Sequence, residues 1–220
     1  MKRPFLLEFM QVLLIVMIFV SAFAAYSFMP ALMVTHWNIA GEADGFMSKA
    51  YALFLIPVMI VILYLVLWVV PKIDPLKKNI QLFRREYDIF RAVFIFFMVY
   101  LYLLSIFWNL GKRFDFVVML VPGFSLLFYF CGFLISKAKR NYLIGIRLPW
   151  TLASDEVWNK THKMGGKLFR LYALILLLGI VLPEFFFWIL FVPLILILAW
   201  SVLYSYFEFR ELEEKEKKKK

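Results

Sequence analysis

A chain of 220 residues that is 64% hydrophobic, with 26 Phe and a mean hydropathy of +0.82, carries more apolar surface than one soluble core can hide. Its 25 Lys and Arg against 15 Asp and Glu give a formal net charge of +10. In so apolar a chain that excess marks a basic membrane face that favours anionic lipid headgroups, and excludes a nucleic-acid groove.

Apolar runs of about 20 residues, enough for roughly 30 Å of hydrocarbon, recur at residues 5–28, 50–70, 89–110, 116–136, 168–182 and 185–207. Inside lipid the backbone must satisfy its own hydrogen bonds, so these runs are read as helices. The first follows Lys2 and Arg3 and contains Ala22-Phe23-Ala24, which resembles a signal cleavage site. It is too long for a signal peptide and reads as a span. With the N-terminus inside, only Lys49, Lys112 and Arg113 fall on outer loops and the other 22 basic residues fall inside, a strong topology signal.

Residues 29–49, between the first two runs, read MPALMVTHWNIAGEADGFMSK. His36, Trp37, Asn38, Gly41, Asp44 and Lys49 make a compact glycine-bearing loop with Trp37 at headgroup level. Either it is a hydrogen-bonded Ω-like loop covering the helix ends or it is a surface for an extracellular ligand. One His without Cys does not have zinc-ligand spacing, so neither a metal nor a cofactor is expected.

Three of the runs carry a proline about one third of the way in, Pro57, Pro122 and Pro193, each freeing the carbonyl four residues earlier, at Leu53, Val118 and Ile189. Either proline is simply tolerated there, or three kinks at one depth splay the outer halves around an outward-facing cavity. Cys131, the single cysteine, lies within the fourth run and excludes a disulfide framework or a thiol pair. No run has an ionisable residue near its middle, which argues against a pump or coupled transporter. Neither H-E-x-x-H, nor G-x-S-x-G with a buried His, nor a phosphate-binding glycine loop occurs, so an enzyme is not expected.

The long polar stretch at 141–169 is more than a linker. Gly145 to Trp150 form an Arg-containing turn; Thr151 or Ser154 can cap a helix whose first turn carries Asp155 and Glu156. Val157, Trp158, Thr161, Met164 and Leu168 then share one helical face, which predicts a short amphipathic helix in the inner interface before the fifth span. Gly165-Gly166 supplies a bend or a close helix contact. Arg147 is expected to pair with Asp155 or Glu156, or to bind a lipid phosphate. His162 reads as an interfacial side chain bonded to the loop.

N-Y-x-I-G-I-R (Asn141, Gly145, Arg147), W-T-L (Trp150, Thr151), E-V-W (Trp158) and K-T-H (Thr161, His162) fall in one register that resembles the signature of the SdpI family, multi-pass membrane proteins of toxin immunity. Pro30, His36-Trp37-Asn38, Gly41, Asp44-Gly45 and Lys49 likewise resemble the short two-helix module, DUF1648-like, that often precedes it. The resemblance implies protection at the cell membrane against a secreted membrane-active peptide toxin. In the best-known members it also implies signalling, by recruiting a transcriptional repressor to the membrane. The outer loop would then meet the toxin, and the inner motif, with Arg147, Trp150, Trp158 and His162, would hold a partner. A passive channel or exporter for an apolar solute is the alternative, and a structural or lipid-organising protein the third.

The expected architecture is an all-α polytopic membrane protein with six transmembrane helices and both termini inside. Residues 1–75 would form the two-helix module, with loop 29–49. Residues 76–220 would form a four-helix region with the cytoplasmic motif at 137–167 and a basic tail whose last residues, 217–220, are solvated and disordered.

Overall fold

The computed structural model describes residues 5–219; Lys2, Arg3 and Lys220, which entered the charge partition, lie outside them. The elements in chain order are α1 (Phe5–Ala25), β1 (Leu32–Trp37), β2 (Ala43–Ser48), α2 (Lys49–Ile73), α3 (Lys77–Gln81), α4 (Arg84–Asn109), α5 (Phe116–Lys137), α6 (Pro149–Ala153), α7 (Asp155–Leu176) and α8 (Phe186–Lys219). Two 3₁₀ turns, Leu177–Ile180 and Pro183–Phe185, join α7 to α8.

Among the described residues, five helices, α1, α2, α4, α5 and α8, are long and apolar enough to cross a membrane. Their outward faces carry exposed Phe, Leu, Ile and Val along their lengths, Phe5 at 78% and Phe207 at 66% among them, the pattern of a surface solvated by lipid. The protein is a multi-pass membrane protein.

The expected separation between an amphipathic helix and a fifth span is not observed. α7 is one continuous helix, polar in its first half and apolar in its second, continued by the Leu177–Ile180 turn. The glycine pair makes a close contact: a Cβ on Gly166 would lie 2.6 Å from the Ser136 Cβ and 2.7 Å from the Gly132 carbonyl oxygen. Small residues at a helix contact let backbones approach, the usual device of membrane helix pairs. Further along, the Ser125 hydroxyl donates to the Ala173 carbonyl (2.7 Å), and a Cβ on Gly179 would meet Val121 at 3.0 Å. α7 and its 3₁₀ turn therefore run antiparallel to α5 from Ser136 to Val121, a length of roughly 24 Å at 1.5 Å per residue. α8 returns beside α7, with the Tyr172 hydroxyl donating to the Leu190 carbonyl and Lys160 meeting Glu208 at the other end.

In the first half, α2 and α4 are antiparallel, the Tyr87 hydroxyl donating to the Leu67 carbonyl (2.6 Å). α4 packs on both α1 and α2 and also on α5, where the Tyr100 hydroxyl donates to the Met119 carbonyl in the turn before Pro122. One apolar cluster joins α1, α2 and α4 through Ile18, Leu53, Ile60, Ile95 and Tyr102; another joins α5, α7 and α8 through Val121, Phe169, Tyr172 and Phe186.

Residues 29–49 are not an Ω-like loop, and the fold is not purely helical. Within this segment β1 and β2 pair antiparallel, with an irregular register around His36. The hairpin is pinned to the end of α4 by Asn109, whose amide accepts from Val34 N (2.8 Å) and donates to Val34 O (3.0 Å), completing the open edge of β1 with a side chain. The tail also differs: α8 stays helical to Lys219, where Glu211 pairs with Lys215 (2.6 Å) and the Glu-to-Lys i,i+4 spacing favours helix over disorder.

Gly166→Ala should lower the melting temperature in detergent by an amount equivalent to about 1–3 kcal/mol, the cost of overpacking a tight contact. An unchanged melt would show that α5 and α7 do not approach this closely.

Candidate functional site

The motif end of the bundle is built on side chains that replace backbone partners. Asn141, fully buried, accepts from Leu143 N (3.0 Å) and Ile144 N (2.6 Å) and donates to the carbonyls of Lys139 and Ile144 (2.8 and 2.9 Å). The turn that follows needs φ +113° at Gly145, which glycine adopts without strain. A Cβ there would also stand 2.3 Å from His162 Nε2. That space lets Ile146 N donate to His162 Nε2 (3.0 Å) while His162 Nδ1 donates to the Trp158 carbonyl (2.8 Å). The two bonds together require the neutral imidazole with its proton on Nδ1. Thr151 accepts from Leu148 N (2.8 Å) and lies 2.9 Å from the carbonyls of Ile146 and Leu148. Ser154 caps α7 by accepting from Val157 N (3.3 Å).

Trp158 is wholly buried, stacks on His162 with ring centroids 3.9 Å apart, and donates to the Ala138 carbonyl (2.9 Å). Thr161 is also buried. Trp158, Thr161 and His162 therefore form the inside of the motif and offer no side-chain surface to a partner in this arrangement. Trp150 is half-buried and reaches α8, donating to Ser205 (2.6 Å).

Arg147 does not hold the helix start. Arg140 takes Asp155 (2.7 Å), and Glu156 pairs with Lys160 (3.1 Å), which also meets Glu208 (2.8 Å). Glu208 first, and then Glu156, hold the Lys160 ammonium above its usual pKa. Arg147 is exposed, donates through Nη1 to the Tyr142 carbonyl (2.7 Å), and has no carboxylate partner among the described residues. The reason is geometric: Arg140, ahead of the pinned turn, reaches both Asp155 and the Leu152 carbonyl (2.8 Å) and so already closes that contact.

The motif also grips the first half of the chain. Asp74, 2% exposed at the end of α2, accepts from Leu76 N (2.6 Å) and from Tyr142 N (2.9 Å), while Asn79 donates to the Arg140 carbonyl (2.7 Å). Ile80, Phe83, Tyr87, Leu134, Ala138, Ile144 and Trp158 pack beneath as one cluster. Nearby, Arg91 is fully buried on α4 and meets Glu8 of α1 (3.3 Å) and Asp88 (3.8 Å), with Asp88 chelated by Arg84 Nε (2.9 and 3.0 Å). None of these partners is visible in sequence, because Glu8 and Arg91 read separately as charges at span ends. The weak signal available was the i,i+4 and i,i+3 spacing of Arg84, Asp88 and Arg91.

At the hairpin end, Asn38 closes the turn, accepting from Ala40 N (2.9 Å) and Glu42 N (3.0 Å) and donating to Glu42 (3.0 Å); Gly41 takes φ +79°. His36 and Asp44 pair across the strands at 2.6 Å and are exposed. Trp37 stacks on Phe116 (3.6 Å, 9°) and meets Trp108 edge-on, seating the hairpin on α4 and α5. Lys49 ties the hairpin to the end of α1 through the Tyr26 carbonyl (3.3 Å). A cleft of about 410 Å³ lies beside the turn, lined by Ile39, Ala40, Asp115, Val117, Pro183 and Glu184. Pro57, Pro122 and Pro193 do not line it: Pro57 is buried, Pro193 half-buried, and Pro122 faces a separate small groove with Tyr100 and Gly123. The cleft is lined instead by the hairpin tip, the start of α5 and the turn before α8.

His162 stands in the polar first half of α7, ahead of the apolar run at 168–182. Burial lowers its pKa from the ordinary 6.5 to about 4, against the opposing pull of the Trp158 carbonyl. The folded pKa is depressed, so the unfolded chain binds the proton first. Stability is complete above pH 6.5 and falls as pH drops toward 4, by up to roughly 1.4 kcal/mol per pH unit. Melting in detergent across this window should show the loss, and His162→Asn should flatten the difference between pH 6.5 and 4. A wild-type slope no steeper than that of the variant would contradict the neutral, pinned imidazole.

Residues 137–205 match the SdpI/YfhL protein family, and residues 12–61 match a domain of unknown function, DUF1648. The chain is 24% identical over 203 residues to the immunity protein SdpI of Bacillus subtilis (strain 168), an alignment covering 92% of this chain and 95% of that one. No solved structure matches. The matched SdpI/YfhL segment begins at the end of α5 and contains every pinned residue of the motif, and the DUF1648 segment contains the hairpin: over these two segments the chain is similar to the SdpI/YfhL family and to DUF1648.

Proposed function

We propose that this protein is a membrane immunity protein, protecting the cell that carries it against a secreted membrane-active peptide toxin. The observation that carries the reading is the alignment over nearly the whole of both chains with a protein named for immunity. In this reading it spans the cell membrane six times, with α7 as the fifth crossing, the hairpin end outside and both termini inside. The positive-inside rule supports the orientation: the described Lys and Arg outside α-helical crossings crowd the motif end, while Lys49, Lys112 and Arg113 mark the hairpin end.

The toxin would be met at the cleft beside the hairpin turn, where exposed Ile39 offers an apolar contact and Asp115 and Glu184 an acidic rim suited to a basic peptide group. At the motif end, a signalling role through recruitment of a repressor would use exposed side chains such as Arg147. Trp158 and His162 would act by holding the turn that presents it.

Expression in a toxin-sensitive strain should restore growth in the presence of toxin. Ile39→Glu and Ala40→Trp should reduce protection about tenfold, as expected for loss of a contact worth about 1–2 kcal/mol, without lowering the melting temperature. Absence of protection by the wild-type protein, or flux of an apolar solute through vesicles containing it alone, would sink the immunity reading and favour a channel.

A further inference from the structure

A second cavity, of about 480 Å³, lies between the two halves near the motif end. Its volume is that of a ligand pocket. α2 contributes Leu67 and Val70, α4 Tyr87 and Phe90, α5 Cys131, and α8 Leu198 and Val202, while the motif turn from Leu143 to Leu148 forms its floor. α2 and α8 both line it without packing extensively on each other, which leaves a seam between two lipid-facing helices beside the cavity.

The lining is apolar, and most of the polar groups it carries are already engaged. The Tyr87 hydroxyl donates to the Leu67 carbonyl (2.6 Å) and the Ser201 hydroxyl to the Ile197 carbonyl (2.7 Å). The N–H groups of Leu143, Ile144, Ile146 and Leu148 are spent on Asn141, His162 and Thr151. A peptide backbone inside would find almost no partners, and burying it so would cost several kcal/mol. The exception to this apolar wall is Arg147, exposed at the edge, held by the Tyr142 carbonyl and free of any carboxylate among the described residues.

We infer that this crevice holds one acyl chain of an anionic phospholipid from the adjoining leaflet, with its phosphate on the Arg147 guanidinium. An apolar slot beside a seam between lipid-facing helices fits a hydrocarbon tail, and a guanidinium at its mouth, in a strongly basic face, fits a phosphodiester bidentately. The inference stands independently of the immunity reading. It also gives the pinned turn a second role, since Asn141, Thr151 and His162 consume the floor's hydrogen-bonding groups and aim Arg147 at headgroup depth.

Cys131, the single cysteine, lines the crevice and reports on it without any substitution. Purified full-length protein in detergent would be titrated with phosphatidylglycerol, phosphatidylcholine of the same acyl chains, or inorganic phosphate. Bound lipid would be counted by native mass spectrometry and Cys131 alkylation by N-ethylmaleimide timed. Phosphatidylglycerol should be retained at one per chain and slow alkylation about tenfold more than phosphatidylcholine does, the ratio for one charge-assisted contact of about 1.4 kcal/mol. Phosphate alone should do nothing. Arg147→Ala should reduce phosphatidylglycerol to the level of phosphatidylcholine, and Leu198→Trp should lower retention of both. Equal protection by the two lipids in the wild-type protein, protection by phosphate alone, or Arg147→Ala behaving as wild type would each overturn the assignment.

Discussion

The approach of α5 and α7 at Gly132 and Gly166 is the constraint on which the other features depend. With a side chain at either glycine the helices would stand apart, because the added Cβ at 166 meets both Ser136 and the Gly132 carbonyl, and that at 132 meets the Gly166 carbonyl at 2.8 Å. Close approach buries one face of the polar first half of α7, so that a segment bearing Trp158, Thr161 and His162 can begin a course along an apolar bundle. Polar groups beside hydrocarbon are tolerable only when their partners are internal. For Trp158 and His162 they are supplied by Ala138, Ile146 and the helix itself, while the buried Thr161 hydroxyl has none among the described residues.

From that contact the motif follows. α7 stands where His162 can receive Ile146 N, which fixes the Gly145 turn; the turn sets Arg147 at its rim and closes the crevice floor. Asp74 and Asn79 attach it to the first half, and Ser205 and Glu208 to the last helix. One loop thus ties together the two halves of the chain, so a change at its surface is mechanically connected to α2, α5, α7 and α8 at once.

The apolar runs were legible because lipid demands long uninterrupted hydrophobicity, and the bounds of α1, α2, α4 and α5 lie close to them. Ser154 as a cap and the glycine pair as a contact were also readable, since each rests on local chemistry. What was not legible depends on partners far away in sequence. The hairpin was hidden because LMVTHW and ADGFMS alternate poorly and β1 is completed by Asn109, 75 residues on from Val34. Arg147 was the conspicuous cation of the turn, yet Arg140 holds Asp155, a choice made by the path of the pinned loop. The residues of the K-T-H and E-V-W motifs looked like an interfacial face, and it is their burial against α5 that turns them inward. The three prolines share a depth in sequence, but none of them lines the cleft beside the hairpin turn.

The central claim is that α7, with its polar beginning, runs the length of α5 and carries the chain across the membrane to the hairpin side. Single cysteines at Asn159 and Val181, in a Cys131→Ala background, bracket the polar start of α7 and the exposed turn beyond its end. Labelled in intact cells with a membrane-impermeant maleimide, Val181 should react from outside and Asn159 only after the membrane is permeabilised. Reaction of both from the same side would mean that α7 does not cross, and the account of the motif as the start of a transmembrane helix would fail.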